Sequence, residues 1–218
     1  MTKENLMMVL AMWAGITVFG GDEAKEIFVR FERNLSRHRT VSGDLVGKGP
    51  GGVTYESKFL LQKPSSFRFI DGQINIYCDG RVQFNHLVSE REYIKSKIST
   101  GLGTGFPAGL DAFFGFPTGV SAPYFAKKTE FRMQKVDGDM CAAKAIHFEG
   151  FGRNDRMVFY VDRTTKQILG WDQVFGNTKM PFRFKNLRVD VDVPGNAFDW
   201  RPSTGLKERT LSHGPGKY

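Results

Sequence analysis

Four histidines, two cysteines and the aspartates Asp190 and Asp192 are the side chains of this 218-residue chain best placed by type to do chemistry. His38, His86, His147 and His213 lie far apart, with none of the short spacings that put two ligands on one metal. Asp190 and Asp192 share a strand parity with Arg188 and alternate with Val189, Val191 and Val193. Paired carboxylates can divide acid and base work, but this alternation describes the wet side of an amphipathic strand. A hydrolase built on carboxylates needs two facing acids of shifted pKa in a cleft, and the sequence offers no such pair. The nucleophile-elbow pattern G-x-S-x-G is absent. Gly101-Leu102-Gly103-Thr104-Gly105-Phe106 approximates a dinucleotide loop, yet has Phe where the third glycine belongs and precedes no suitable helix. Gly150-Phe151-Gly152 resembles a fragment of an RNA-binding strand without the flanking aromatic and basic residues. The expectation is therefore a protein without catalysis, cofactor, bound metal or nucleic-acid partner.

Two cysteines are too few for a disulfide scaffold or a four-thiolate zinc site. Cys78 and Cys141 both sit in strand-like segments. They could pair in an oxidising compartment or stay buried as small hydrophobes, and the spacing leaves both open.

The elements that must carry these residues follow from periodicity. Leu6 to Phe19 is an uncharged apolar run, short for a bilayer span of about 20 residues and suited to a secretory leader ending near Gly20. The alternative is an N-terminal helix packed on the core. From Asp22 to Arg37, Ala24, Ile27, Phe28, Phe31 and Leu35 recur at intervals of three and four, which predicts an amphipathic helix. The period then drops to two. Val53, Tyr55, Ser57, Phe59 and Leu61 alternate with Thr54, Glu56, Lys58, Leu60 and Gln62. Lys63-Pro64-Ser65-Ser66 breaks that strand, and Phe67-Arg68-Phe69 resumes it. Asp71-Gly72 and Asp79-Gly80 read as hairpin turns around Ile74–Cys78 and Val82–Leu87. Further strands are predicted at Tyr93–Lys95, Thr129–Val136, Cys141–Phe148, Arg156–Val161, Gln167–Phe175 and Phe182–Val193. Between them, residues 100–125 combine glycine and proline with Phe106, Leu110, Phe113, Phe114 and Phe116, an unusually apolar composition for a connection. Consecutive strands joined by tight turns predict one curved antiparallel sheet whose concave face must be filled.

Net charge is 31 − 23 = +8. That excess suits an anionic membrane surface, and equally an ordinary solvated exterior.

Four segments in order resemble the periplasmic lipoprotein-carrier superfamily (LolA/LolB-like). They are the amphipathic helix after a leader; the segment from Phe59 through Lys63-Pro64 to Phe67-Arg68-Phe69; the turn Tyr77-Cys78-Asp79-Gly80-Arg81-Val82; and Phe159-Tyr160-Val161-Asp162-Arg163-Thr164-Thr165 with the closing Phe182…Leu187 and Asn196-Ala197-Phe198-Asp199-Trp200-Arg201-Pro202. The resemblance implies an incomplete antiparallel β-barrel with an N-terminal helix and a helical or loop lid. It also implies a hydrophobic cavity for acyl chains and a periplasmic location, without catalysis. On that reading Tyr55, Phe59, Leu61, Phe67 and Phe69 line the cavity. Phe106, Leu110, Phe113, Phe114 and Phe116 form the lid. Lys63 stands where the carrier has an arginine latch; lysine is a point donor without the guanidinium fork.

The expected organisation is a leader over 1–20, a lipid- or lipoprotein-binding domain over 22–205 and a flexible basic tail over 206–218. A monomer is expected, with acyl chains, an anionic membrane surface or envelope proteins as partners. The competing reading is an envelope protein-interaction module without a lipid cavity, recognised through a sheet edge or apolar patch.

Overall fold

The computed structural model describes residues 3–49, 52–97, 126–148 and 155–210, with helix side chains described from Gly20 onward. One helix, α1 (Lys3–Arg37), precedes twelve described strands. They are β1 (Thr40–Lys48), β2 (Thr54–Gln62), β3 (Ser66–Ile70), β4 (Ile74–Asp79), β5 (Val82–Leu87), β6 (Glu92–Lys97), β7 (Ala126–Val136), β8 (Asp139–Phe148), β9 (Arg156–Asp162), β10 (Ile168–Phe175), β11 (Thr178–Val189) and β12 (Lys207–Glu208). All belong to one sheet in the order β12-β6-β5-β4-β3-β2-β1-β11-β10-β9-β8-β7. The pairs are antiparallel except the short parallel β12–β6 contact. The sheet is long, curved and unclosed, the arrangement the resemblance implies.

Short-range chemistry sets this meander. The carboxylate of Asp79 accepts from the amides of Arg81 at 2.7 Å and Val82 at 2.8 Å, closing the β4–β5 turn. The Asp71 carboxylate holds the amides of Gln73 and Ile74 in the same way at 2.7 and 2.6 Å. Asp137 and Gly138 both take positive φ, 52° and 101°, the pair of left-handed residues that a two-residue hairpin turn requires.

The helix buries the stripe read from its periodicity. Ala24, Ile27, Phe28, Phe31 and Leu35 are each 6% exposed or less. They face mainly β7, β8 and β9. Phe28 meets Phe131 edge-on with ring centroids 5.9 Å apart. Lys144 reaches the Glu32 carboxylate at 3.4 Å, and Arg163 pairs with Glu23 at 2.8 Å. Burying each large apolar side chain of this stripe contributes about 1.5–3 kcal/mol, so packing rather than intrinsic propensity holds the helix.

Strand β1 is absent from the sequence reading, and it joins the two halves of the sheet. It pairs with β2 on one side and β11 on the other. Its sequence, TVSGDLVGK, hides the alternation because two inward positions are Gly43 and Gly47. A Cβ on Gly43 would sit 2.9 Å from the Phe59 ring, and one on Gly47 would sit 2.3 Å from the Phe182 ring. The inner row Val41, Gly43, Leu45, Gly47 is hollowed to admit aromatics from the flanking strands.

Two further expectations are corrected, and the open choice for the cysteines falls to buried thiols. The last long strand ends at Val189, because Asp190 adopts φ 51°. Cys78 in β4 and Cys141 in β8 are buried free thiols. They belong to separate buried clusters, Cys78 to the one beneath the helix and Cys141 to the one around Val136, Val158 and Tyr160. The tail expected from 206 onward is tied down as far as Arg209, whose amide donates to Tyr93 O at 2.8 Å and whose guanidinium pairs with Glu90 and Glu92. The expected lid residues Phe106, Leu110, Phe113, Phe114 and Phe116 lie outside the described residues, as do the side chains of the expected leader before Gly20.

Candidate functional site

The sheet register lines up one row of inward side chains across seven strands. Phe131, Lys144, Phe159, Trp171, Phe182, Gly47 and Tyr55 are successive cross-strand partners from β7 to β2. Five of the seven are aromatic. The row starts beneath the helix and emerges from its edge: Phe159 and Trp171 are each 3% exposed, Phe182 is half-buried and Tyr55 is 40% exposed. Trp171 stacks on Phe182 at 4.9 Å and 10°, and leans on Phe184 at 5.5 Å. Phe184 meets Phe59 edge-on at 5.7 Å. The rings of Phe59 and Phe182 sink over the glycines of β1, so the floor of the concave face is flat and aromatic here.

Of the five expected lining residues, Phe59, Leu61 and Phe67 are buried in the main core cluster, and Phe69 packs against it partly buried. Tyr55 stands at the exposed rim. The register places Leu61, Phe67, Cys78, Gln83 and Ser96 in a second inward row running to β6. Sequence reasoning missed Trp171, Phe182 and Phe184. The signal was the alternation of Trp171 with Asp172 and of Phe182 and Phe184 with basic residues in two late strands.

The expected latch residue binds the helix end. The Lys63 ammonium donates to the carbonyl of Ser36 in the last turn of α1, and the Lys63 amide donates to Arg39 O at 3.1 Å. A cation on the last carbonyls complements the negative end of the helix. Beside it, His38 Nδ1 lies 2.8 Å from Asp190 Oδ2, and the Arg39 amide donates to Asp190 Oδ1 at 2.9 Å. The Arg39 amide, and then His38, hold the Asp190 carboxyl below its ordinary range. Asp190 is thus a clasp between the helix exit and the end of β11.

On the opposite face, the segment after β11 crosses the first half of the sheet. Leu60, Ala197 and Phe198 form a small buried cluster, with Val191 and Val193 packed against it. Arg68 Nη1 donates to Ala197 O at 3.3 Å. Trp200 stacks on Tyr77 at 5.5 Å and 12°, with the rings of Phe84, His86 and Tyr93 within 5.3–5.9 Å. A shallow cleft of about 270 Å³ lies beside it, lined by Val82, Phe84, Phe198 and Trp200 among the charged residues Asp79, Lys95, Asp199 and Arg201.

The reactive side chains do not assemble into a catalytic group. Burial pushes the Cys78 thiol up to about 11 and raises that of Cys141, opposite to what a nucleophile needs. His38, His86 and His147 serve three separate places: the Asp190 clasp, the Trp200 cluster and a position 3.8 Å from Glu130. Among the described residues no three His, Cys, Asp or Glu side chains group as a metal site.

No protein-family model matches the chain. An uncharacterized protein of Methanocaldococcus jannaschii, MJ0687, is 23% identical over 206 residues, 92% of this chain and 57% of the relative. The chain thus spans little more than half the length of that curated relative. The crystal structure of an uncharacterized conserved protein from Thermus thermophilus superposes with a TM-score of 0.55 at 12% identity, covering 86% of this chain and 98% of that one. A LolA superfamily protein from Nitrosomonas europaea also matches, at TM-score 0.33 and 8% identity, covering 75% of this chain and 90% of that one. The fold is mostly β, with one N-terminal helix against a long antiparallel sheet whose outermost described strands are β7 and β12.

Proposed function

We propose that this chain is a non-catalytic extracytoplasmic module that receives acyl chains of a lipid or lipoprotein on the concave face of its sheet. One observation carries the reading: the inward row from Trp171 through Phe182 to Tyr55 leaves the helix-covered core and reaches a 40%-exposed rim over glycines. A flat aromatic floor opening outward is where an unbranched chain can be laid down. Each buried CH₂ gains about 0.8 kcal/mol, so a chain of roughly 16 carbons gains on the order of 12 kcal/mol before ordering costs. Phe59, Leu61, Phe67 and Phe69 belong to the core that continues from that floor, and Lys63 fixes the helix end at the far end of β2.

Native mass spectrometry of protein purified from its own envelope tests the proposal. Bound species of lipid mass are expected, released by organic extraction. Protein that emerges empty, and fails to bind monoacyl lipids added below their micelle concentration, overturns it.

A second reading has its own support. The helix already occupies the concave face of β7, β8 and β9, and β7, outermost among the described strands, carries Lys128, Arg132 and Lys135. A module of this kind would pair an extended acidic segment of an envelope partner along β7. It predicts undiminished partner binding in a chain whose concave floor no longer takes lipid.

A further inference from the structure

Trp171 is 3% exposed, yet its indole Nε1–H has no hydrogen-bond acceptor. A buried donor without a partner has lost its hydration and gained no bond in return; of the four described side-chain atoms in this state, Trp171 Nε1 is the one carried by the aromatic row. Tyr160 in the neighbouring strand shows the ordinary solution, its hydroxyl donating to the Asp172 carboxylate. Trp171 points the other way, onto the aromatic floor. Its immediate neighbours there, Phe159, Phe182 and Phe184, carry no acceptor of their own.

We infer that the Trp171 indole N–H is the polar anchor of the concave site and donates to the carbonyl oxygen of an ester- or amide-linked acyl chain. The inference rests on the lipid-binding reading and deepens it by separating acyl from alkyl ligands. A neutral carbonyl fits better than a carboxylate or phosphate. The nearest cation in the inward row, Lys144, is two strands away and committed to Glu32 at 3.4 Å. An anion at Trp171 would be desolvated without a counter-charge. A hydrocarbon without oxygen would fill the floor and leave the donor unpaired.

The test uses two monoacyl probes of equal chain length and headgroup: 1-acyl lysophosphatidylcholine and its 1-O-alkyl ether, which lacks the carbonyl. The full chain is expected to bind the ester about tenfold tighter than the ether, the scale of one satisfied hydrogen bond. Trp171→Phe keeps an aromatic ring, though a smaller one, and removes the donor, so its two affinities should be equal to each other. A second measurement needs no variant of uncertain folding. In ¹⁵N-labelled wild-type protein the Trp171 indole N–H resonance should move downfield with the ester and not with the ether. Equal affinities in the wild type, or discrimination that survives Trp171→Phe, overturn the anchor and leave lipid binding standing. Failure of both probes to bind overturns both.

Discussion

The indole of Trp171 lies flat on the ring of Phe182, their centroids 4.9 Å apart and their planes 10° apart. That stack exists because the next residue in the row is Gly47, where a Cβ would come within 2.3 Å of the Phe182 ring. Gly47→Ala must therefore displace Phe182, and through it Trp171. Overpacking of this kind costs about 1–3 kcal/mol, read as a lower urea midpoint with an unchanged slope. The cost should shrink when Phe182→Leu is added, since the smaller side chain vacates the contact. An alanine variant as stable as the wild type would show that the ring does not occupy the glycine gap.

Tyr160 predicts the response to alkali. Its phenol is raised above the ordinary value, first by burial and then by its hydrogen bond to Asp172. Asp172 is 1% exposed and also pairs with Lys179 at 2.7 Å and Arg183 at 2.9 Å. A phenol raised in the folded state retains its proton where the unfolded chain has lost it. Its contribution is complete below an unfolded value of about 10 and declines as pH rises toward the folded value. Absorbance titration at 295 nm should show a tyrosine step that occurs only as the protein unfolds. Tyr160→Phe should remove that step. A late step that survives Tyr160→Phe would contradict the buried pairing.

The helix stripe was legible because 3.6-residue spacing needs no knowledge of the rest of the fold. Most strands were legible because Asp-Gly pairs mark their turns. β1 was not, and the reason is physical: its inward positions are emptied so that Phe59 and Phe182 can fill them, and a glycine carries no hydrophobic signal. The role of Asp190 was also hidden. Alternation with valines gave it a place on a strand face, whereas its left-handed φ and its bonds to His38 and Arg39 depend on a helix exit some 150 residues earlier in the chain. The grouping of Tyr77, Phe84, His86 and Tyr93 was hidden as well: they form one half-buried aromatic face because Trp200, far along the chain, packs on all four. What was unreadable in each case is a contact between distant segments.

Asp190 predicts the response to acid. The Arg39 amide and His38 hold its carboxyl below the ordinary range. A carboxyl lowered in the folded state contributes stability above its unfolded value of about 3.9 and loses that contribution as pH falls through the folded value. Asp190→Asn tolerates the left-handed backbone and keeps an acceptor for the Arg39 amide, but carries no charge for His38. The stability gap between wild type and variant should be steady from pH 5 to 6 and narrow below about pH 4. A gap that persists unchanged at pH 3 would place the origin of the acid response elsewhere.

Trp200 predicts how the last described segment is held. Its ring stacks on Tyr77 and touches Phe84, His86 and Tyr93, while Phe198 and Ala197 pack on Leu60 just before it. The Lys207–Glu208 strand then pairs with β6, and Arg209 closes on Glu90 and Glu92. On the outward faces of β4, β5 and β6 this ring and the neighbouring Phe198 are the described aromatic cover. Trp200→Ala should cost about 2 kcal/mol, from lost burial and ring contacts at a half-exposed site. Hydrogen exchange should localise the effect: amides of Lys207 and Arg209, which donate to Arg91 O and Tyr93 O, should lose protection, while those of the β1–β11 pair keep theirs. Binding of monoacyl probes on the concave face should be unchanged, since Trp200 lies on the opposite side of the sheet. Loss of probe binding in this variant would mean that the two faces are coupled, and uniform loss of protection would mean that the segment is part of one cooperative unit with the core.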